Sequence, residues 1–163
     1  MKYFTVELFR EYEKINFAFK RIFSKKSRKA YSEFAKEERK RVNEYYTYYE
    51  QIKYNLPKKI MQINGSALHD SLIIEGYFSG KDFELIVNPI GTKFAEYKDS
   101  ELAINKIVFI SATVLKNDNA INNVFWLCDE IYILKDSYEM HILHLGDKGY
   151  GEIIIQFKDI EYF

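Results

Sequence analysis

The chain has 163 residues, 47% hydrophobic and 17% aromatic, with two prolines, seven glycines and a single cysteine. That length and apolar content suit one domain able to bury about 70% of its unfolded surface, and they exclude a disordered, fibrous or disulfide-stapled class. The 24 basic and 24 acidic side chains cancel, yet residues 1–61 hold 16 basic against 8 acidic and residues 62–163 hold 8 against 16; such a polarity, +8 against −8, concerns partners more than folding.

In chain order, the opening Met1–Glu7 carries an early acid and no apolar core of the secretory kind, and no stretch approaches 18 apolar residues. With the lone Cys128 this predicts a soluble cytoplasmic protein without a signal peptide, a membrane span or a disulfide. Leu8, Tyr12, Ile15, Phe19 and Ile22 are spaced 4, 3, 4 and 3, which is one face of a helix opening at Thr5, a residue suited to cap it, and closing near Phe23. Ser24–Ser27 reads as a short link. A second stripe runs Tyr31, Ala35, Glu38, Val42, Tyr45, Tyr49, Ile52 and Leu56, predicting a helix of about eight turns stopped by Pro57. Two helices so linked pack as an antiparallel hairpin. A few more helical residues are expected around Lys59–Gln62.

After Asn64-Gly65 the period changes from 3.6 to 2. Leu72, Ile74 and Phe78 alternate with Ser71 and Tyr77, and Phe83, Leu85 and Val87 with Asp82 and Glu84. Leu102, Ile104, Val108, Ile110, Ala112 and Val114 share one parity and predict one long strand interrupted by Lys106. Ser79-Gly80, Asp136-Ser137 and Gly146–Gly149 read as hairpin turns, which makes the neighbouring strands antiparallel. The longest loops are expected at residues 88–100 and 116–123. Helices followed by strands predict an α+β fold: an N-terminal hairpin (1–61) packed on a curled antiparallel sheet of five to seven strands (65–163), in one domain.

Chemistry has few places to sit. His141 and His144 lie three apart on a predicted strand and so face opposite ways, which disfavours a two-histidine metal clamp. A mixed set of His69, Asp70, Asp129 and His141 would suit zinc or manganese, although no zinc-type spacing occurs, and a histidine satisfied by a neighbouring carboxylate is the ordinary reading. Asp70 is expected to tie the entrance of the first strand, and its candidate nucleophiles Ser66, Ser71 and Cys128 have no activating neighbour in sequence. Asp129, beside Glu130, shares parity with Phe125, Leu127, Ile131 and Ile133; burial unpaired would cost several kcal/mol, so either a bulge re-aims it or a partner satisfies it. Trp126 is either core or an anchor at a surface. No phosphate-binding glycine loop, dinucleotide fingerprint or nucleophile elbow is present, so neither a cofactor nor a resident metal is expected.

Ten cations lie between residues 20 and 41: Lys20, Arg21, Lys25, Lys26, Arg28, Lys29, Lys36, Arg39, Lys40 and Arg41, against Glu33, Glu37 and Glu38. A helical tip at +7 matches a phosphate-binding footprint, and Tyr45, Tyr46, Tyr48 and Tyr49 would stack on bases, but Tyr45 and Tyr49 also continue the apolar stripe.

Three stretches carry a resemblance: Met1-Lys2-Tyr3-Phe4-Thr5; Tyr49–Lys53 through Leu56-Pro57 to Leu68-His69-Asp70; and Trp126–Tyr132 with Tyr138-Glu139-Met140-His141. In these the chain resembles an uncharacterised family of small bacterial proteins, mostly from Firmicutes, known only as a domain of unknown function. The resemblance implies the extent of the fold and no mechanism. The Leu68-His69-Asp70 entry is also similar to one in bacterial immunity-type proteins that neutralise toxins. The expectation is therefore a non-enzymatic interaction protein, with an immunity-type role as its most concrete version, that meets an unidentified protein partner or itself through its acidic sheet or its basic helical tip. Two rivals remain: a metal-dependent hydrolase using His69, Asp70, Asp129 and His141, and nucleic-acid binding through residues 20–41.

Overall fold

The computed structural model describes the backbone of residues 1–21, 25–64, 68–89 and 104–163, and the side chains of these except 16–21 and 25–27. Helix α1 spans Val6–Arg21 and helix α2 spans Lys25–Ile52. Thr5 caps α1 as expected: its hydroxyl accepts from the Leu8 amide at 3.3 Å and its carbonyl from Phe9 at 3.3 Å. The link is shorter than the sequence suggests, since Lys25, Lys26 and Ser27 already belong to α2; Phe23 and Ser24 lie outside the described residues. The apolar face of α2 enters at Phe34, which is buried and meets Tyr12 of α1 with ring centroids 5.1 Å apart, while Tyr31 is exposed. Beyond Ile52 a single 3-10 turn, Lys53–Asn55, leads to Pro57 and the short helix α3, Lys58–Ile63. Pro57 suits that start, because its fixed φ and missing amide cost nothing there.

Eight strands follow among the described residues: β1 Leu72–Ser79, β2 Asp82–Asn88, β3 Lys106–Ile110, β4 Thr113–Asn117, β5 Val124–Ile133, β6 Tyr138–Gly146, β7 Gly149–Phe157 and β8 Asp159–Tyr162. Every neighbouring pair is antiparallel, in the order β4-β7-β6-β5-β1-β2-β3-β8. The count exceeds the expected five to seven because two long runs are bent. The predicted single strand through Val114 breaks at Ser111, whose φ is 52°, into β3 and β4; a second run breaks at Lys158 into β7 and β8. The two runs pair with each other on both sides of their corners, Ile107–Ile110 against Tyr162–Asp159 and Thr113–Asn117 against Gln156–Ile153. The first and last strands of the order thus belong to the same pair of runs, and the sheet curls back on itself.

The three hairpin turns fall where the sequence places them, closing Ser79 on Asp82, Ile133 on Tyr138 and Gly146 on Gly149. Two parities do not. Ile107 and Phe109, rather than Val108 and Ile110, are fully buried; Ile73 is buried while Ile74 and Phe78 are exposed, because β1 shifts register between Ile73 and Glu75. The core gathers Ile73, Leu85, Phe109, Trp126, Met140, Ile155 and Phe157 from the sheet with Leu56, Ile60 and Ile63 around α3. Each such buried large side chain contributes roughly 1.5–3 kcal/mol, so α3 is an integral wall of the sheet's core.

Candidate binding site

The site begins with an incomplete strand edge. β1 pairs with β5 at Leu72–Phe125 and Ile73–Val124, and among the described residues no strand continues along the far part of β5 on that side. Helix α2 fills the vacancy with tyrosines. The Ile131 amide donates to the Tyr45 hydroxyl at 3.0 Å, that hydroxyl donates to Asn64 Oδ1 at 3.2 Å, and the Tyr48 ring packs beside Tyr132 of β5 with centroids 5.5 Å apart. An exposed edge is an aggregation hazard, and burying it requires partners for its amides. Burial pushes the Tyr45 phenol far up, so it keeps its proton and can donate.

Tyr3 continues this layer, its ring 5.5 Å from that of Tyr45 and 6.4 Å from that of Tyr48. The segment that carries it is fastened by Glu130 on β5, a carboxylate with no exposed surface. The backbone amides of Lys2, Tyr3 and Phe4 donate to Glu130 at 2.8, 2.8 and 2.6 Å, and the Tyr132 hydroxyl adds a fourth bond. Three successive amides converging on one anion form a backbone nest. Burial and the Glu130 bond both push the Tyr132 phenol up, which keeps it a donor.

A second acid, Glu152 on β7, gathers positive charge on the same face. Its carboxylate meets the Met1 amino group, Lys116 Nζ at 2.8 Å and His141 Nδ1 at 3.1 Å, while His141 Nε2 faces Glu139 at 2.7 Å. Burial pushes the Glu152 carboxyl up, but the bonds from His141, Lys116 and the amino group outweigh it and hold the acid well below the usual carboxylate range. A hollow of about 250 Å³ opens beside Lys2, Tyr132, Glu139 and His141.

Across Lys2 and Tyr3 lies a groove of about 900 Å³ along α2. Lys36, Arg39 and Lys40 share one helical face at spacings of three and four, and Lys2, from the segment before α1, joins them in the lining. Glu44, 3.9 Å from Lys40, is the one carboxylate among the groove's lining residues. Tyr48, Thr47 and Gln51 continue the floor towards the far end of α2. The arrangement offers four cations to an anionic ligand and assembles no nucleophile or base around a common point.

A family described as "Protein of unknown function (DUF4085)" matches residues 9–153. The chain belongs to the DUF4085 family. The match opens after Met1–Thr5, so that part of the resemblance lies outside it, and it spans most of α1, most of β7 and the chain between them. No curated protein and no solved structure matches the chain.

In this DUF4085 protein the polar residues singled out in the sequence divide into separate sets. His69 and Asp70 pair with each other at 2.9 Å, half exposed, at the bend before β1. The strand entrance is tied by the Asp70 backbone, whose amide donates to the Trp126 carbonyl at 2.8 Å at a φ of 66°. Asp129 is buried and accepts from the Trp126 indole at 3.1 Å, past a register shift between Trp126 and Cys128, so bulge and partner both act. Trp126 is core. Glu130 and His141 are directly opposite across β5 and β6, and they alone of the five join the outer network. Among the described residues no three His, Cys, Asp or Glu side chains are grouped to hold a metal ion.

His141 and His144 do face opposite ways: His144 lies across from Trp126, fully buried, and burial lowers its basicity. Burial likewise pushes the Cys128 thiol up, away from thiolate chemistry, and Ser71 is buried; Ser66 lies outside the described residues. Of the basic stretch, Arg28, Lys29, Arg39 and Lys40 are exposed, whereas Arg41 is half-buried against Glu37 at 2.9 Å and reaches the Tyr3 carbonyl. The side chains of Lys20, Arg21, Lys25 and Lys26 lie outside the described residues. Of Tyr45, Tyr46, Tyr48 and Tyr49, Tyr46 alone is exposed, at 62%. Lys2, Tyr3, Tyr132 and Glu152 were not legible as site residues, because their roles come from elements brought together over more than a hundred positions.

Proposed function

We propose that this DUF4085 protein is a non-enzymatic binding protein whose α2 groove receives an acidic segment of another protein. The observation that carries the reading is the groove's lining of Lys2, Lys36, Arg39 and Lys40 against Glu44 alone. In this reading α1 and α2 form the antiparallel hairpin that supports the groove, and the protein works in the cytoplasm. From Lys36 to Gln51 the helix rises about 22 Å at 1.5 Å per residue, the span of about six or seven extended residues. Electrostatic matching of this kind sets association rate and selectivity more than it sets affinity.

The opposite version, an immunity-type contact through the acidic sheet, has less to draw on. Glu84, Asp129, Glu130 and Glu152 are buried and engaged inside the chain. Nucleic acid is the competing class of polyanion, but Tyr45 and Tyr49 pack against the core rather than offering faces for stacking.

The test is fluorescence anisotropy with a fluorescein-labelled peptide of ten glutamates, against a single-stranded DNA of ten nucleotides. Binding of the peptide that weakens with salt and is lost in a Lys36→Glu/Arg39→Glu/Lys40→Glu variant supports the reading. No peptide binding at low salt, or tighter binding of the DNA, contradicts it.

A further inference from the structure

We infer that Glu130 is the positioning residue of this groove: its buried carboxylate gathers the amides of Lys2, Tyr3 and Phe4 and so holds Lys2 and Tyr3 as the groove's second wall. The inference rests on the reading of the groove given above and extends it from α2 to a residue on β5.

The groove has two sides of different origin. Lys36, Arg39 and Lys40 stand on a 28-residue helix and need no further support. Lys2 stands on an irregular segment before α1, and its side chain is exposed. Its placement depends on what holds the backbone of residues 2–4. Three of those holds converge on Glu130, and the bond lengths of 2.6–2.8 Å are those of charge-assisted hydrogen bonds. Two further holds fix Tyr3: its ring lies in the tyrosine layer, and Arg41 Nη1 reaches its carbonyl at 3.5 Å. Lys2 Nζ then lies over the Tyr3 ring, 5.1 Å from its centroid, which directs the ammonium group.

Glu130 is itself rigid. β5 pairs along its length with β6, and Tyr45 takes the Ile131 amide on its other edge. Because Glu130 grips main-chain amides, it fixes the path of the segment whatever side chains it carries. The same grip answers a second question, why a carboxylate sits in a fully buried place: three amides and a phenol satisfy it, and an apolar residue there would leave the amides unpaired.

The experiment combines Glu130→Gln and Lys2→Ala in a double-mutant cycle, read with the labelled ten-glutamate peptide. Glutamine keeps the size of the side chain and removes its charge. If Glu130 acts through the placement of Lys2, each single change weakens binding about 3–10-fold and the double variant binds like Lys2→Ala alone. Simple additivity is the signature of a merely structural role and overturns the inference. Phe4→Pro deletes the shortest amide contact without touching the sheet, and it should weaken binding as Glu130→Gln does; wild-type affinity in that folded variant also overturns the inference. In the wild-type protein, amide exchange at Tyr3 and Phe4 followed by NMR should slow when the peptide is bound, and unchanged exchange at saturation counts against it. If the wild-type protein fails to bind the peptide, the groove reading falls and this inference with it. If binding persists but the cycle is additive, the inference alone falls.

Discussion

Glu152 shows how one side chain ties pH to stability. Its folded-state pKa is depressed below the ordinary value of 4.5, the net of burial raising it and three donors lowering it more. Such a group stabilises the fold fully above its unfolded pKa, and the contribution is lost as pH falls through the window below about 4.5. Urea midpoints should therefore hold level above pH 5 and decline below it, and Glu152→Gln should flatten that decline while lowering the midpoint at neutral pH. Asp129 gives a second residue-scale expectation. Trp126→Phe removes the indole donor from a buried carboxylate, and the loss should be about 1–3 kcal/mol in urea unfolding. A change below half a kcal/mol would mean that the indole is not a meaningful donor to Asp129.

At the level of elements, the join between α2 and β5 is the distinctive feature, because a helix supplies a tyrosine hydroxyl where a strand would supply a carbonyl. Tyr45→Phe leaves the buried Ile131 amide without its acceptor, so it should cost about 1–3 kcal/mol and speed exchange at Ile131, whereas Tyr46→Phe should do neither. The β6–β7 pair is tight in another way. A Cβ on Gly151 would fall 2.5 Å from the His144 ring and 2.8 Å from the Asp118 carbonyl oxygen; Gly151→Ala should destabilise by roughly 1–3 kcal/mol. Much of this level was legible in advance. Thr5 as cap and three hairpin turns are local signals, and they fall as read, whereas α2 ends at Ile52, short of the expected stop at Pro57. The parity of β1 and of β3–β4 was misread because a register shift at Ile73–Glu75 and a corner at Ser111 are set by cross-strand packing, which no period-two count contains. The same limit explains the site. Asp129 announced itself by its parity, but the service of Glu130 to residues 2–4 spans over 120 positions of chain and left no local mark.

Over the whole molecule, the charge split between the two halves has different uses on the two sides. Several of the sheet's acids are spent within the fold, on Lys106, Lys116, His141 and the amides of residues 2–4. The exposed cations of α2 are spent far less: Lys29–Glu33 and Lys40–Glu44 are long surface pairs of 3.8 and 3.9 Å, worth little in water. A chain of zero formal charge thus presents a positive groove. No described helix is long and apolar enough to cross a membrane. The most direct check is a titration of isotope-labelled protein with the ten-glutamate peptide, following backbone amide and lysine side-chain shifts. Movement concentrated at Lys2, Lys36, Arg39, Lys40 and Tyr48, fading as salt is raised, is what the account predicts. Shifts confined to the sheet away from α2, or none at all at low salt, would contradict it.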